Sequence, residues 1–130
     1  MNVLYIDYKE DIKNLSKILK KNNIKFDSID DILKEKDLIS ANEAFKEKYL
    51  SNLGDYDVLI AHLGIIFNNQ IPDILSKYQK LNLVLVSDYG SNLVDHGKRY
   101  LVCNYDSNLL IPFIKSLPDK NNKTSNNKHF

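Results

Sequence analysis

The run Val58-Leu59-Ile60-Ala61-His62 constrains this chain more than any other stretch. Its one polar side chain stands at the carboxyl end, with turn residues Gly54, Asp55 and Asp57 before it and Gly64 after it. Too short for a helix and apolar until its last residue, it reads as a strand covered on both faces and therefore mid-sheet. In an open parallel sheet, ligands and chemistry collect beyond the carboxyl ends of the strands. His62 is thus the first candidate site residue.

The remaining segments supply neighbours for that strand. Val3-Leu4-Tyr5-Ile6 is a second apolar strand, ending in Asp7. Asp11 is expected to cap a helix whose apolar positions Ile12, Leu15, Ile18 and Leu19 follow helical spacing, with Asn22-Asn23 as the stop. Ile24 to Ser28 alternates like a strand nearer the edge. Asp30 to Ile39 reads either as a short helix or as a charged loop. Ser40 and Glu43 have capping-box spacing, opening a helix through Ala44, Phe45, Tyr49 and Leu50 that ends before Gly54.

Pro72 suits the first turn of a helix carrying Ile74, Leu75 and Tyr78. Leu83 to Val86 is another continuous apolar strand, ending in Ser87-Asp88, and Tyr100 to Cys103 is the fifth. The connection from Asn92 to Lys98 holds at most about two helical turns. Ser107 is expected to cap a last helix with Leu109, Leu110, Phe113, Ile114 and Leu117 inward. Pro112 makes that helix start late or kink. From Pro118 onward little can be buried, so residues 1–117 form the domain and 118–130 a disordered polar tail.

Strands alternating with helices in this way predict an α/β domain, a doubly wound three-layer sandwich on a five-stranded parallel sheet of order 2-1-3-4-5. That order sets the strands of Val3 and Val58 side by side. Asp7 and His62 then share the crevice, and Ser87 and Cys103 line the same edge.

Composition narrows the function classes. A chain of 130 residues makes one domain. With 18 basic and 17 acidic side chains the formal charge is +1, and no basic cluster is interleaved with aromatics, so no nucleic-acid partner is expected. One cysteine forms no internal disulfide. The 3 histidines and 1 cysteine match no metal-ligand spacing, and 4 glycines build no phosphate-cradling loop. No metal or cofactor is expected. Without a leader peptide or a membrane-length apolar run, the expectation is a soluble cytoplasmic protein with no membrane partner. Lys20, Lys21 and Lys25 read as a solvated face, and His96-Gly97 as loop.

Several stretches resemble one family. Leu4 to Asp11 looks like the first strand and acidic turn of a response-regulator receiver domain. Asp57 to Leu63 resembles the strand ending in that family's phosphoacceptor aspartate. Val86 to Ser91 is similar to its hydroxyl-bearing fourth strand and loop, and Tyr100 to Leu110 to its fifth strand and the turn into the last helix. The resemblance spans residues 2–117 and implies the flavodoxin-like form of the doubly wound fold.

The chain departs from the family at the chemistry. The acidic pair that holds magnesium is Asp7 followed by Tyr8, the phosphoacceptor position is His62, and the lysine position is Cys103, followed by Asn104. One carboxylate facing an imidazole suits Mg²⁺ poorly. Ser87 and Tyr100 match the switch-like hydroxyl and aromatic positions.

The resemblance therefore implies a pseudo-receiver, a stand-alone interaction module in signal transduction with no enzymatic activity. Its signalling-protein partner would be met through the last strand and helix, with Tyr105, Leu110 and Phe113 as candidate contacts, and a homodimer is possible on the same terms. Two alternatives stand beside it. One is a phosphocarrier using His62 with Asp7 orienting the ring; the other is a small-molecule or nucleotide binder using the flavodoxin-like crevice.

Overall fold

The computed structural model describes residues 1–32, 37–88, 93–95 and 99–117. The expected polar tail, His96-Gly97 and part of the segment between Asp30 and Ile39 fall outside these residues.

The sheet comprises β1 (Val3–Ile6), β2 (Asp27–Ile29), β3 (Val58–His62), β4 (Asn82–Ser87), β5 (Leu93–Asp95) and β6 (Tyr100–Asn104). Among the described residues, four α-helices are interspersed: α1 (Lys9–Lys21), α2 (Leu38–Lys48), α3 (Ile71–Lys77) and α4 (Leu110–Lys115). The strand order is β2-β1-β3-β4-β6-β5. Counted among themselves, the five parallel strands keep the expected order 2-1-3-4-5.

The sixth strand is a difference. Where the sequence leaves room for a short helical connection, β5 pairs antiparallel with β6 at the outer edge, Leu93 opposite Val102 and Asp95 opposite Tyr100. A parallel crossover through a helix needs a dozen or more residues. The segment between β4 and β6 is barely that long, and an outer strand turning back on itself joins the same two ends.

Period-two alternation sorts the sheet side chains into two apolar layers. Leu4, Ile6, Leu59, Ala61, Leu83 and Leu85 pack against Phe45 of α2 and Ile74 and Leu75 of α3. On the other face, Val3, Tyr5, Val58, Ile60, Val84 and Val86 pack against Leu15 and Leu19 of α1 and Phe113 and Ile114 of α4. Each fully buried aliphatic side chain of this kind contributes roughly 1.5–3 kcal/mol. β3 and β4, apolar on both sides, are the two central strands of this sandwich.

Helix boundaries depart from the expected caps in three places. α1 begins at Lys9, so Asp11 lies inside its first turn and caps nothing. α2 is capped by Asp37, whose Oδ1 accepts from the Ser40 amide at 2.7 Å, and Ser40 is an interior residue. A carboxylate is the stronger acceptor and also favours the positive end of the helix dipole. α4 begins at Leu110, with Ser107 Oγ accepting from the Leu109 amide at 3.1 Å. Pro112 therefore falls in the first turn, where its missing N–H breaks no helical bond. β2 is likewise shifted toward Ile29 from the expected Ile24–Ser28, leaving Ile24 and Phe26 to pack beside α1 and α4. Among the described residues, no helix is long and apolar enough to cross a membrane.

Candidate functional site at the carboxyl edge

Parallel register places the site. Ile6 lies opposite Ala61 across the β1–β3 seam, so Asp7 and His62 are neighbours one residue further on. Both share the face of Tyr5 and Ile60, the face covered by α1 and α4.

Asp7 is 0% exposed. Its Oδ2 accepts from the hydroxyls of Tyr5 at 2.7 Å and Tyr105 at 2.6 Å, and its Oδ1 accepts from the Tyr8 amide at 2.7 Å. The Nδ1 of His62 faces Oδ1 at 3.3 Å and the Tyr105 hydroxyl oxygen at 2.9 Å. Proton counting assigns the tautomer. Tyr105 has one hydrogen, and the closer, charged carboxylate takes it, so His62 Nδ1–H is the donor toward Tyr105 and Asp7. In the neutral ring that puts the lone pair on Nε2, and the rings of Tyr8 and His62 pack T-shaped at 4.9 Å between centroids.

Asp11 completes the cluster from the first turn of α1, 3.4 Å from the Tyr105 hydroxyl. Burial raises its carboxyl above the usual aspartate range, and the nearby charges of Asp7 and Asp88 add to the effect. Burial likewise raises the phenols of Tyr5 and Tyr105, with Asp7 next in importance for both.

The other expected site residues are less united. Cys103 lies level with Val86, itself level with His62, so register brings it to the lysine position of the resemblance. It is 2% exposed, and burial pushes its thiol up to about 11. This is a small buried hydrophobe rather than a reactive thiol. Ser87 and Tyr100 fall on the opposite face of the sheet from His62, Tyr100 packing in the α2–α3 layer. Their backbones stand four levels apart, Tyr100 beside Leu83 and Ser87 beside Asn104, roughly 13 Å along the strands.

The proposed contact residues of the last strand and helix are mostly inward. Leu110 is 1% and Phe113 2% exposed, both in the layer between sheet and α4. They are core residues, because α4 needs an apolar face to hold itself on the sheet. Tyr105 is half-buried with its hydroxyl in the site.

Sequence reasoning missed Asp11, Tyr5 and the inward hydroxyl of Tyr105 as members of the cluster. Tyr5 had a readable signal: two residues before Asp7 on a strand, it must share its face. Tyr105 had none, since its contact with Asp7 spans 98 positions. The loop beyond His62 is pinned by Asn42, whose buried Nδ2 donates to Ile65 O and Gln70 Oε1, both at 2.7 Å.

Compared with known proteins, the chain matches no family model and no curated protein.

Proposed function

We propose that this chain is a receiver-like interaction module of a signalling system, working without phosphoryl transfer to an aspartate. One observation supports the reading above the others: the Tyr105 hydroxyl bridges Asp7 and His62. That bond ties the loop after β6 to the end of β1, at the position where a phosphorylated receiver would carry its signal. A pocket already closed by a charge-assisted hydrogen bond holds one arrangement constitutively. Its output is then a fixed surface.

Because Leu110 and Phe113 are interior, that surface is the rim around the pocket rather than the apolar face of α4. Tyr8 and Phe67, on connections leaving the carboxyl edge, and Leu38 and Ile39, in the first turn of α2, are exposed, Ile39 to 69%. Another protein meeting this rim would bury apolar side chains next to the His62 cluster. The test is to isolate the partner with the full chain and measure its affinity with and without Mg²⁺ and beryllofluoride. Unchanged affinity is expected, reduced in Ile39→Asp. A response to beryllofluoride, or no reduction in Ile39→Asp, would sink the reading.

A second reading is favoured by the tautomer. With Nδ1–H directed at Asp7 and Tyr105, Nε2 of His62 is oriented as a nucleophile, and a phosphocarrier role follows. Incubation with phosphodonors should then give acid-labile, base-stable label that disappears in His62→Ala. No label in the wild type ends it.

A further inference from the structure

Three side chains that can ligate a metal reach one point from three elements: Asp7 after β1, Asp11 in the first turn of α1 and His62 at the end of β3. One ligand atom from each lies within 4.8 Å of the other two. Asp7 Oδ1 and His62 Nδ1 stand 3.3 Å apart. Donors around a tetrahedral ion with bonds of about 2.0–2.1 Å stand about 3.3 Å apart as well. A carboxylate offers about four acceptor directions, and Tyr5, Tyr8 and Tyr105 already take three of those on Asp7. Oδ1, which takes only the Tyr8 amide of these three, is the oxygen that His62 Nδ1 faces.

We propose that Asp7, Asp11 and His62 bind a borderline divalent transition-metal ion of the zinc or cobalt kind. The donor set is two oxygens and one imidazole nitrogen, which suits such ions, whereas Mg²⁺ prefers near-octahedral oxygen. Two carboxylates and a neutral imidazole together balance the charge of a divalent ion. When the ion occupies Nδ1, the ring proton moves to Nε2 and nothing is oxidised or released. Tyr105 keeps its hydrogen bond to Asp7 Oδ2 and acts as a positioning residue, fixing the carboxylate on which the ion sits. Asp7 is buried, while Asp11 and His62 are partly exposed, which gives the ion a way in from solvent. Three protein ligands leave a fourth position for water or an exogenous ligand.

The inference goes beyond the interaction-module reading, and its test needs no partner, so the two can fail separately. Full-length protein without an affinity tag is titrated with Zn²⁺, Co²⁺ and Mg²⁺ while thermal stability and the visible absorption of Co²⁺ are followed. One equivalent of Zn²⁺ or Co²⁺ is expected to raise Tm, and Co²⁺ to gain the visible bands of a low-coordinate nitrogen–oxygen site. Asp11→Asn and His62→Ala, verified as folded by their metal-free melting, are expected to lose both signals. Tyr105→Phe is expected to keep the cobalt bands with affinity weakened about 10–100-fold. No binding by the wild type, an equal response to Mg²⁺, or unchanged binding in Asp11→Asn and His62→Ala, which means an adventitious ion only, would overturn the proposal.

Discussion

The Tyr105 hydroxyl donates to Asp7 Oδ2 at 2.6 Å across 98 positions of sequence. It joins the last loop to the first strand and shares a buried carboxylate with Tyr5. Tyr105→Phe keeps the ring and removes only this donor, leaving a buried charge short of one hydrogen bond. The expected loss is about 1.5–3 kcal/mol of unfolding free energy, read by urea denaturation. A loss below experimental error would mean the bond holds nothing in place.

Asp11 sits close to Asp7 and Asp88, and its folded carboxyl is raised by burial first and by those charges second. A raised carboxyl is ionised at neutral pH at some cost to the fold, and that cost vanishes once pH falls below the unfolded value and both states are protonated. Asp11→Asn is therefore expected to stabilise the metal-free protein at pH 7 by less than about 1 kcal/mol, since Asp11 is largely solvent-screened. The advantage should fade as pH drops through the acidic range. A variant less stable than wild type at pH 7 would contradict the sign.

The sheet was readable because β1, β3, β4 and β6 are apolar runs too short to be helices, and their order followed from alternation with helices. What misled was local chemistry read without its tertiary setting. Asp11 has the residue type and position of a cap, but its carboxylate instead turns toward Tyr105 in the pocket. Ser40 has capping-box spacing, but Asp37 stands three residues earlier and is the better acceptor. Leu110 and Phe113 could be surface or core by spacing alone, and packing against the sheet decided it. β5 had no signal, being three residues whose pairing depends on β6 being in place.

Cys103 lies 2% exposed in the α1–α4 layer, with its thiol pushed up to about 11 by burial. Thiolate is the reactive form, so at pH 8 almost none is present in the folded protein. A thiol reagent such as dithionitrobenzoate should react only at the rate at which the chain opens, and fully in denaturant. Rapid stoichiometric labelling of native protein would show the thiol to be accessible.

Arg99, just before β6, reaches across to the end of α3. Its guanidinium donates to the carbonyls of Leu75, Tyr78, Gln79 and Leu81, gathering the end of α3 and the turn into β4. Carbonyls in the last turn of a helix have no intrahelical partner, and here one side chain serves that of Leu75 together with those of Tyr78, Gln79 and Leu81 just beyond the helix. Its own backbone adopts φ 59°, a conformation disfavoured for a side chain of this kind, and its carbonyl accepts from Leu83 to start the β4–β6 pairing. The rigid fork holds two nitrogens apart, Nη1 toward Tyr78, Gln79 and Leu81 and Nη2 toward Leu75, a spread that one compact ammonium does not reproduce. Arg99→Ala is expected to cost about 2 kcal/mol or more, with Arg99→Lys intermediate between it and the wild type. Arg99→Gly relieves the backbone but loses the fork, so it should recover only part of the alanine loss. If lysine matched arginine in denaturation, the charge alone would account for the residue and the fork geometry would be irrelevant.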